Sequence, residues 1–193
     1  MSAWRSPARC ALLNPLAWRS NEAAMNELHE AYLNLGSNIE PETNLVRAIR
    51  LLHQYGDIGK ISNAWESRSV GAEAPNYLNA CVLFKSTYSQ VELKEQITRP
   101  IEARLGRERN KNKYAPRTMD IDIIVFDGES TNEKFWNLAF VILPLAEIHP
   151  EYLNPITQER ITDTAIRLRK EVWTKTRPEV LSQFHGGPLK GQN

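Results

Sequence analysis

Asp120 and Asp122 stand one residue apart in an Ile- and Val-rich run, residues 119–126, that reads Met-Asp-Ile-Asp-Ile-Ile-Val-Phe. Pro116 precedes the run and Asp127-Gly128 follows it, which is the punctuation of a β-strand. Successive side chains of a strand point to opposite faces, so the two carboxylates share one face and Ile121 and Ile123 the other. Two steps of strand rise separate the carboxylates by about 7 Å. That spacing suits a hard, oxygen-preferring cation such as Mg²⁺, which is usually held by one or two carboxylates plus substrate phosphates. Arg117, just upstream, adds a planar donor fork matched to phosphate oxygens. An exposed edge strand with a wet face would carry the same triplet, so the surrounding sequence has to decide.

Residues 104–117 supply Arg104, Arg107, Arg109, Lys111, Lys113 and Arg117 against a single acid, Glu108. Such a run is often a solvated face. Here it leads into the paired carboxylates, where cations neutralise polyphosphate and transition-state charge. On another predicted strand, Tyr77 and Asn79 share a face. An aromatic plane beside an amide can stack on a flat heterocycle and read its edge, although ordinary strand packing uses the same pair.

The elements that must position these residues follow in order. Residues 31–35 form a short strand ended by Gly36-Ser37-Asn38, with the glycine permitting a tight turn. No Gly-rich loop with a lysine follows, so this turn is structural and not a phosphate cradle. A helix over 42–55 carries Leu45, Ile49 and Leu52 on one face, with Gly56 beyond its end. A strand over 58–65, a turn-rich loop over 66–76 and a strand over 77–86 come next. A second helix over 90–105 contains Pro100, which removes a hydrogen bond and can kink it. The 119–126 strand completes a β-α-β-β-α-β order. That order predicts an α+β fold: a ferredoxin-like core with helices packed on an antiparallel sheet. Residues 140–148 are apolar, and 162–174 read as a C-terminal helix.

Length and composition set the limits. The 193 residues are enough for one domain, with 41% hydrophobic and 24% charged residues. A net charge of +1 gives no support to nucleic-acid binding. No apolar run approaches the roughly 18 residues of a membrane span. Two cysteines and four histidines without ligand spacing imply neither a disulfide framework nor zinc, and suit a reduced, cytoplasmic protein. Arg5, Arg9 and Arg19 precede any acidic residue, as in organelle transit peptides, but residues 1–28 are read in preference to that as an unstructured extension or as the product of a start misassigned ahead of Met25. Residues 29–180 form the expected single domain, and 181–193 a flexible tail.

The run Lys113 with Ala115-Pro116-Arg117, then Asp120-Ile-Asp122-Ile-Ile124, resembles the signature of the 6-hydroxymethyl-7,8-dihydropterin pyrophosphokinases. Three further stretches are similar to that family: Tyr77-Leu78-Asn79, the Trp65 to Gly71 loop, and Phe140-Val-Ile-Leu-Pro-Leu-Ala-Glu-Ile148. The resemblance covers about residues 31–155. It implies pyrophosphoryl transfer from the co-substrate ATP to the hydroxymethyl pterin, with AMP as the other product. It also implies two Mg²⁺ ions on Asp120 and Asp122, with Arg107 and Arg117 completing the catalytic set. ATP contacts would come from Glu102, Arg107, Arg109, Tyr114, Arg117 and Ile123, with the basic loop closing over the nucleotide as a lid. Pterin contacts would come from Ser67, Val70, Tyr77, Asn79 and Phe140. The expected partners are these small molecules, and a monomer suffices.

Two departures accompany the resemblance. Ser69 replaces the family's loop proline, and residues 127–139 lack its Pro-His pair and following Arg, a loss that would weaken ATP binding unless Lys134 or Trp136 offsets it, or that would mark a degenerate paralogue. A catalytically weakened binding relative and another Mg²⁺-dependent phosphoryl or nucleotidyl transferase are the competing readings.

Overall fold

The computed structural model describes residues 27–69, 75–108 and 115–185. The sheet is built about β1 (His29–Ser37), whose apolar residues at alternate positions bury against helices while its backbone is paired on both edges. β4 (Tyr77–Ser86) pairs with all nine residues of β1 on one side, and β5 (Asp120–Phe126) pairs on the other. β2 (Asp57–Ile61) and β3 (Ala64–Ser67) both pair with β4. A two-residue β6 (Glu129–Ser130) extends the sheet beyond β5, and β7 (Thr174–Arg177) extends it beyond β3. Every pairing is antiparallel, and the order is β6-β5-β1-β4-β3-β7 with β2 also against β4. This is the expected ferredoxin-like frame.

One face of the sheet carries Ala31, Leu33 and Leu35 of β1 and Leu78, Ala80, Val82 and Phe84 of β4. They are covered by α1 (Pro41–Leu52) and by α2 (residues 90–104). The predicted alternation places the remaining residues of both strands on the opposite face. There a second layer forms from α3 (Ala139–Ile148) and α4 (Ile161–Glu171), enclosing Tyr32, Cys81, Leu83 and Trp136. The predicted C-terminal helix ends at Glu171, and the residues after it turn back as the edge strand β7.

α2 resolves the question posed by Pro100. Between an α turn (Gln90–Glu92) and an α segment (Arg99–Arg104) lies a π turn (Leu93–Thr98), in which the Arg99 N–H donates to the Lys94 carbonyl. Pro100 thereby falls immediately after the π turn, in the first turn of the α segment, so the irregularity in the helix lies next to the residue that lacks an N–H. The expected strand over 58–65 is two strands, broken at Ser62-Asn63. The break is satisfied locally: Ser62 Oγ accepts from the Cys81 N–H at 2.8 Å, and Glu147 of α3 accepts from the Asn63 N–H at 2.7 Å.

Described structure continues past residue 180. α5 (Pro178–Leu181) and the turn after it bring Leu181, fully buried, and Phe184 into the core beside α1. Residues 1–26 and 186–193 lie outside the described residues, so most of the expected extension and tail do too. Leu181→Ala should cost about 2–4 kcal/mol in urea denaturation, because it opens a cavity in the main core. A change of a few tenths would place residue 181 in a dispensable tail.

Candidate active site

Three central strands place their chemistry in one row. Across β1, Gly36 pairs with Asn79 of β4 and with Asp120 of β5, and two residues along the same face Asn34 pairs with Cys81 and Asp122. The face is not covered by helices at this end, and a cavity of about 180 Å³ remains. Its lining includes Ser67, Tyr77, Asn79, Arg117, Asp120, Asp122 and Phe140, seven of the sequence-predicted site residues. Phe140 enters from the first turn of α3, opposite the sheet.

The two aspartates have different surroundings. Asp120 is bracketed by cations: Arg107 Nη1 lies 2.5 Å from its Oδ1, and Arg117 pairs with its Oδ2. Arg107 is itself anchored, donating to the Met119 carbonyl at 2.9 Å and lying 3.7 Å from buried Glu102. Glu102 Oε1 also accepts from the Ile121 N–H at 2.8 Å. Glu102, expected to contact the nucleotide, clamps α2 to β5 and steadies Arg107; it lies outside this cavity and lines a separate open cleft with Glu95, Arg99 and Arg107. Asp122 has no hydrogen bond or ion pair to its carboxylate among the described residues. Burial, then the Asp120 and Glu102 charges, push its carboxyl up to about 6, with Arg107 and Arg117 opposing. Burial likewise raises the Tyr77 phenol, which feels the same Arg117 and Asp120 charges.

The turn after β1 holds Arg117 in place. The Asn38 and Ile39 N–H groups donate to the Arg117 carbonyl at 3.0 and 3.3 Å, and Asn38 Oδ1 accepts from the Arg117 N–H at 2.6 Å. Ser37 Oγ donates to the Thr118 carbonyl at 2.6 Å. Ser37 and Asn38 make structural hydrogen bonds here, and the glycine, expected to permit a tight turn, serves a different purpose. Gly36 is the penultimate residue of β1, and a Cβ there would meet Asn79 Oδ1 at 2.8 Å. It leaves room for the amide. Asn79 is buried, with Nδ2 3.4 Å from Ser67 Oγ.

Ile123 is not on the cavity face. It lies in the main core and lines a second cleft along the outer edge of β5, with Gln90, Lys94, Thr131, Asn132 and Phe135. Asp122 lines both cavities and so joins them. Of the residues considered as replacements for the missing Pro-His and Arg, Trp136 is unsuited, being fully buried with Nε1 donating to Ser130 Oγ at 2.8 Å. Lys134 is exposed. Arg109, Tyr114 and the rest of the stretch 109–114 within the proposed lid, like Val70 of the pterin loop, lie outside the described residues. Sequence reasoning missed Asn34, Arg68 and Ser69, which also line the cavity. The available signal for Asn34 was an amide between Leu33 and Leu35 in a buried strand; Arg68, over the Trp173 ring at 5.7 Å, gave none.

The donor set fits a small hard cation. Two carboxylates share one face and one has no ion pair among the described residues, yet no group of three or more His, Cys, Asp or Glu among the described residues forms a cage. A cation here would need a substrate's oxygens to complete its shell.

A sheet that ends in acidic and cationic groups beside an aromatic-walled cavity suits a phosphate-bearing ligand next to a flat one. Comparison makes the class specific. The family model for 7,8-dihydro-6-hydroxymethylpterin-pyrophosphokinase matches residues 32–150, and the chain belongs to that family. A 2-amino-4-hydroxy-6-hydroxymethyldihydropteridine pyrophosphokinase of Synechocystis sp. is 32% identical over 157 residues, covering 76% of this chain and 77% of its own. One from Aquifex aeolicus is 31% identical, covering 68% of this chain and 88% of its own. Among solved structures, a Plasmodium falciparum HPPK-DHPS superposes with a TM-score of 0.58 at 11% identity, over 86% of this chain and 48% of that one. An HPPK-DHPS solved with substrates gives 0.57 at 13% identity, over 75% and 44%. The chain thus spans under half of those two-part proteins, and the likeness to them is one of fold.

Asp122 generates a prediction about stability. Its folded-state carboxyl lies above the ordinary value of 3.8, so the charged form costs stability above about pH 6, and the cost fades as the pH falls toward 3.8. Asp122→Asn should therefore stabilise the ligand-free protein by on the order of 2–3 kcal/mol at pH 7.5 and by almost nothing near pH 4. Paired chemical denaturation curves at the two pH values measure this. A pH-independent difference would remove the electrostatic account.

Proposed function

We propose that the chain catalyses ATP-dependent transfer of a pyrophosphoryl group to 6-hydroxymethyl-7,8-dihydropterin, giving AMP and the pterin diphosphate, a step of folate biosynthesis. The observation that carries this reading is the single cavity lined at once by Tyr77, Asn79 and Phe140 and by Asp120, Asp122 and Arg117. Tyr77 and Phe140 offer aromatic faces for the flat pterin. Asn79, kept in place by Gly36 and Ser67, presents an amide to the ring edge, and Ser67 with the Val70 backbone completes the recognition. The hydroxymethyl group then points toward the aspartates.

Arg107 and Arg117 are the phosphate contacts on the described part of the chain, with Arg109 and Tyr114 assigned to the loop between them. As ATP enters, both arginines exchange Asp120 for phosphate oxygens, which would leave its carboxylate available to help hold a cation. Asp120 and Asp122 would hold two Mg²⁺ ions, which when bound screen the phosphates and favour ionisation of the attacking hydroxyl. Glu102 keeps Arg107 from following its phosphate and so holds it for the transition state. The second cleft, with Ile123, lies on the far side of Asp122 and suits the rest of the nucleotide. Catalysis is positioning and charge stabilisation, with no covalent intermediate.

One chain supplies every residue named, so a monomer suffices. Among the described residues no helix is long and apolar enough to cross a membrane. The free, buried Cys81 thiol fits the cytoplasm. A binding relative with weakened turnover is the second reading, favoured by the burial of Trp136 in the segment that lacks the Pro-His pair and Arg.

One assay separates them. Purified protein with Mg²⁺, ATP and hydroxymethyl dihydropterin should release AMP only when the pterin is present, and Asp122→Ala should lower the rate by at least about 10³-fold while melting cooperatively. Pterin binding without AMP release would support the weakened relative. Unchanged turnover in the Asp122 variant would end the metal assignment.

A further inference from the structure

Among the described residues that line the cavity, only Asn34 carries a buried side-chain oxygen with no hydrogen-bond partner. The residue is 3% exposed, and its strand neighbours Leu33 and Leu35 face the opposite core. Its place is set by the register of β1: Asp122 lies across on β5 and Cys81 across on β4, one rung deeper than the Gly36 pairs with Asp120 and Asn79. Neither neighbour serves its Oδ1: neither the Asp122 carboxyl nor the Cys81 thiol, a weak donor, makes a hydrogen bond to it. A buried amide oxygen without a donor costs free energy that an apolar residue on this floor would not.

We propose that Asn34 is a substrate-contact residue whose Oδ1 accepts a hydrogen bond from an N–H or O–H of the bound hydroxymethyl dihydropterin, on the cavity floor beside Asp122. This rests on the functional reading above. A dihydropterin is rich in donors: ring N–H groups, an exocyclic amine and the hydroxymethyl O–H. Asn79 can answer some of them one rung nearer the mouth, and Asn34 answers another at the depth of the second aspartate. The pairing completes both partners together, so it discriminates against flat heterocycles that lack the donor.

The test titrates 6-hydroxymethyl-7,8-dihydropterin and 6-methyl-7,8-dihydropterin into the full-length protein by calorimetry, with Mg²⁺ and a non-hydrolysable ATP analogue present. Wild type, Asn34→Ala and Asn34→Ser are compared. The alanine variant should bind the hydroxymethyl compound about 10- to 100-fold more weakly. Its affinity for the nucleotide analogue should stay, and its melting temperature without ligand should be no lower than that of wild type. Serine, which keeps an acceptor, should recover part of the loss. If the 6-methyl compound loses as much, the donor is a ring N–H; if it loses nothing, the donor is the hydroxyl, and either result upholds the contact. Unchanged pterin affinity in Asn34→Ala overturns it. So does an equal loss of nucleotide-analogue affinity, which would make the amide a support for Asp122. Failure of wild type to bind either pterin overturns the functional reading together with the Asn34 contact, whereas an intact wild type beside an unaffected alanine variant overturns the contact alone.

Discussion

The register of three antiparallel strands is the constraint on which the site depends. β1 lies between β4 and β5, and the pairing that puts Gly36 opposite both Asn79 and Asp120 also puts Asn34 opposite Asp122. Because the side-chain period of a strand is two, a slip of one residue would turn this polar row into the core under α1 and α2 and bring Leu33 or Leu35 to the cavity. The apolar set of β1 and β4 forbids that slip. The same burial that stabilises the sheet therefore fixes which groups meet substrate.

Within that frame the two aspartates are treated unequally. Asp120 is neutralised by Arg107 and Arg117, and Arg107 is braced by Glu102 and the Met119 carbonyl. Asp122 sits deeper with like charges near it, and its carboxyl is pushed up. A protein selected only for stability would not bury a second carboxylate there. Asn34, whose buried amide oxygen in the next strand has no hydrogen-bond partner among the described residues, adds a further cost at the same depth. Unfavourable groups gathered at one point mark where the free protein is least complete and where a ligand has most to offer.

The β5 strand shows how the site and core share one element. Leu33 pairs with Ile123 but Tyr32 pairs with Val125, so Ile124 is an extra residue. Before this bulge the alternation puts Asp120 and Asp122 on the cavity face. At it, Ile124 and Val125 both turn into the second core against α3. The bulge lets a strand present carboxylates at one end and continuous apolar surface at the other. α3 completes the arrangement, burying Ile142 and Leu145 while its first turn delivers Phe140 to the cavity.

Much of this was legible in the residues themselves. Period-two alternation assigned Asp120 with Asp122 and Tyr77 with Asn79 to common faces, and helical spacing located α1 and α2, because both signals are local and repeat within a few residues. The order of elements then left few ways to build the sheet. What the chain could not declare locally depended on contacts between distant segments. Gly36 answers to Asn79, Glu102 answers to the Ile121 N–H and Arg107, and Trp136 is committed to the core by Ser130 and α3. The edge strand β7 and the burial of Leu181 and Phe184 belong to the same class, since their partners lie more than a hundred residues earlier. Asn34 was the extreme case. A single amide in an apolar strand looks like an imperfection until folding sets it beside Asp122 with no donor for its oxygen. Residue type and spacing determined which groups could do chemistry; only the tertiary structure decided which of them face one another, because that depends on strand register and burial across the sheet.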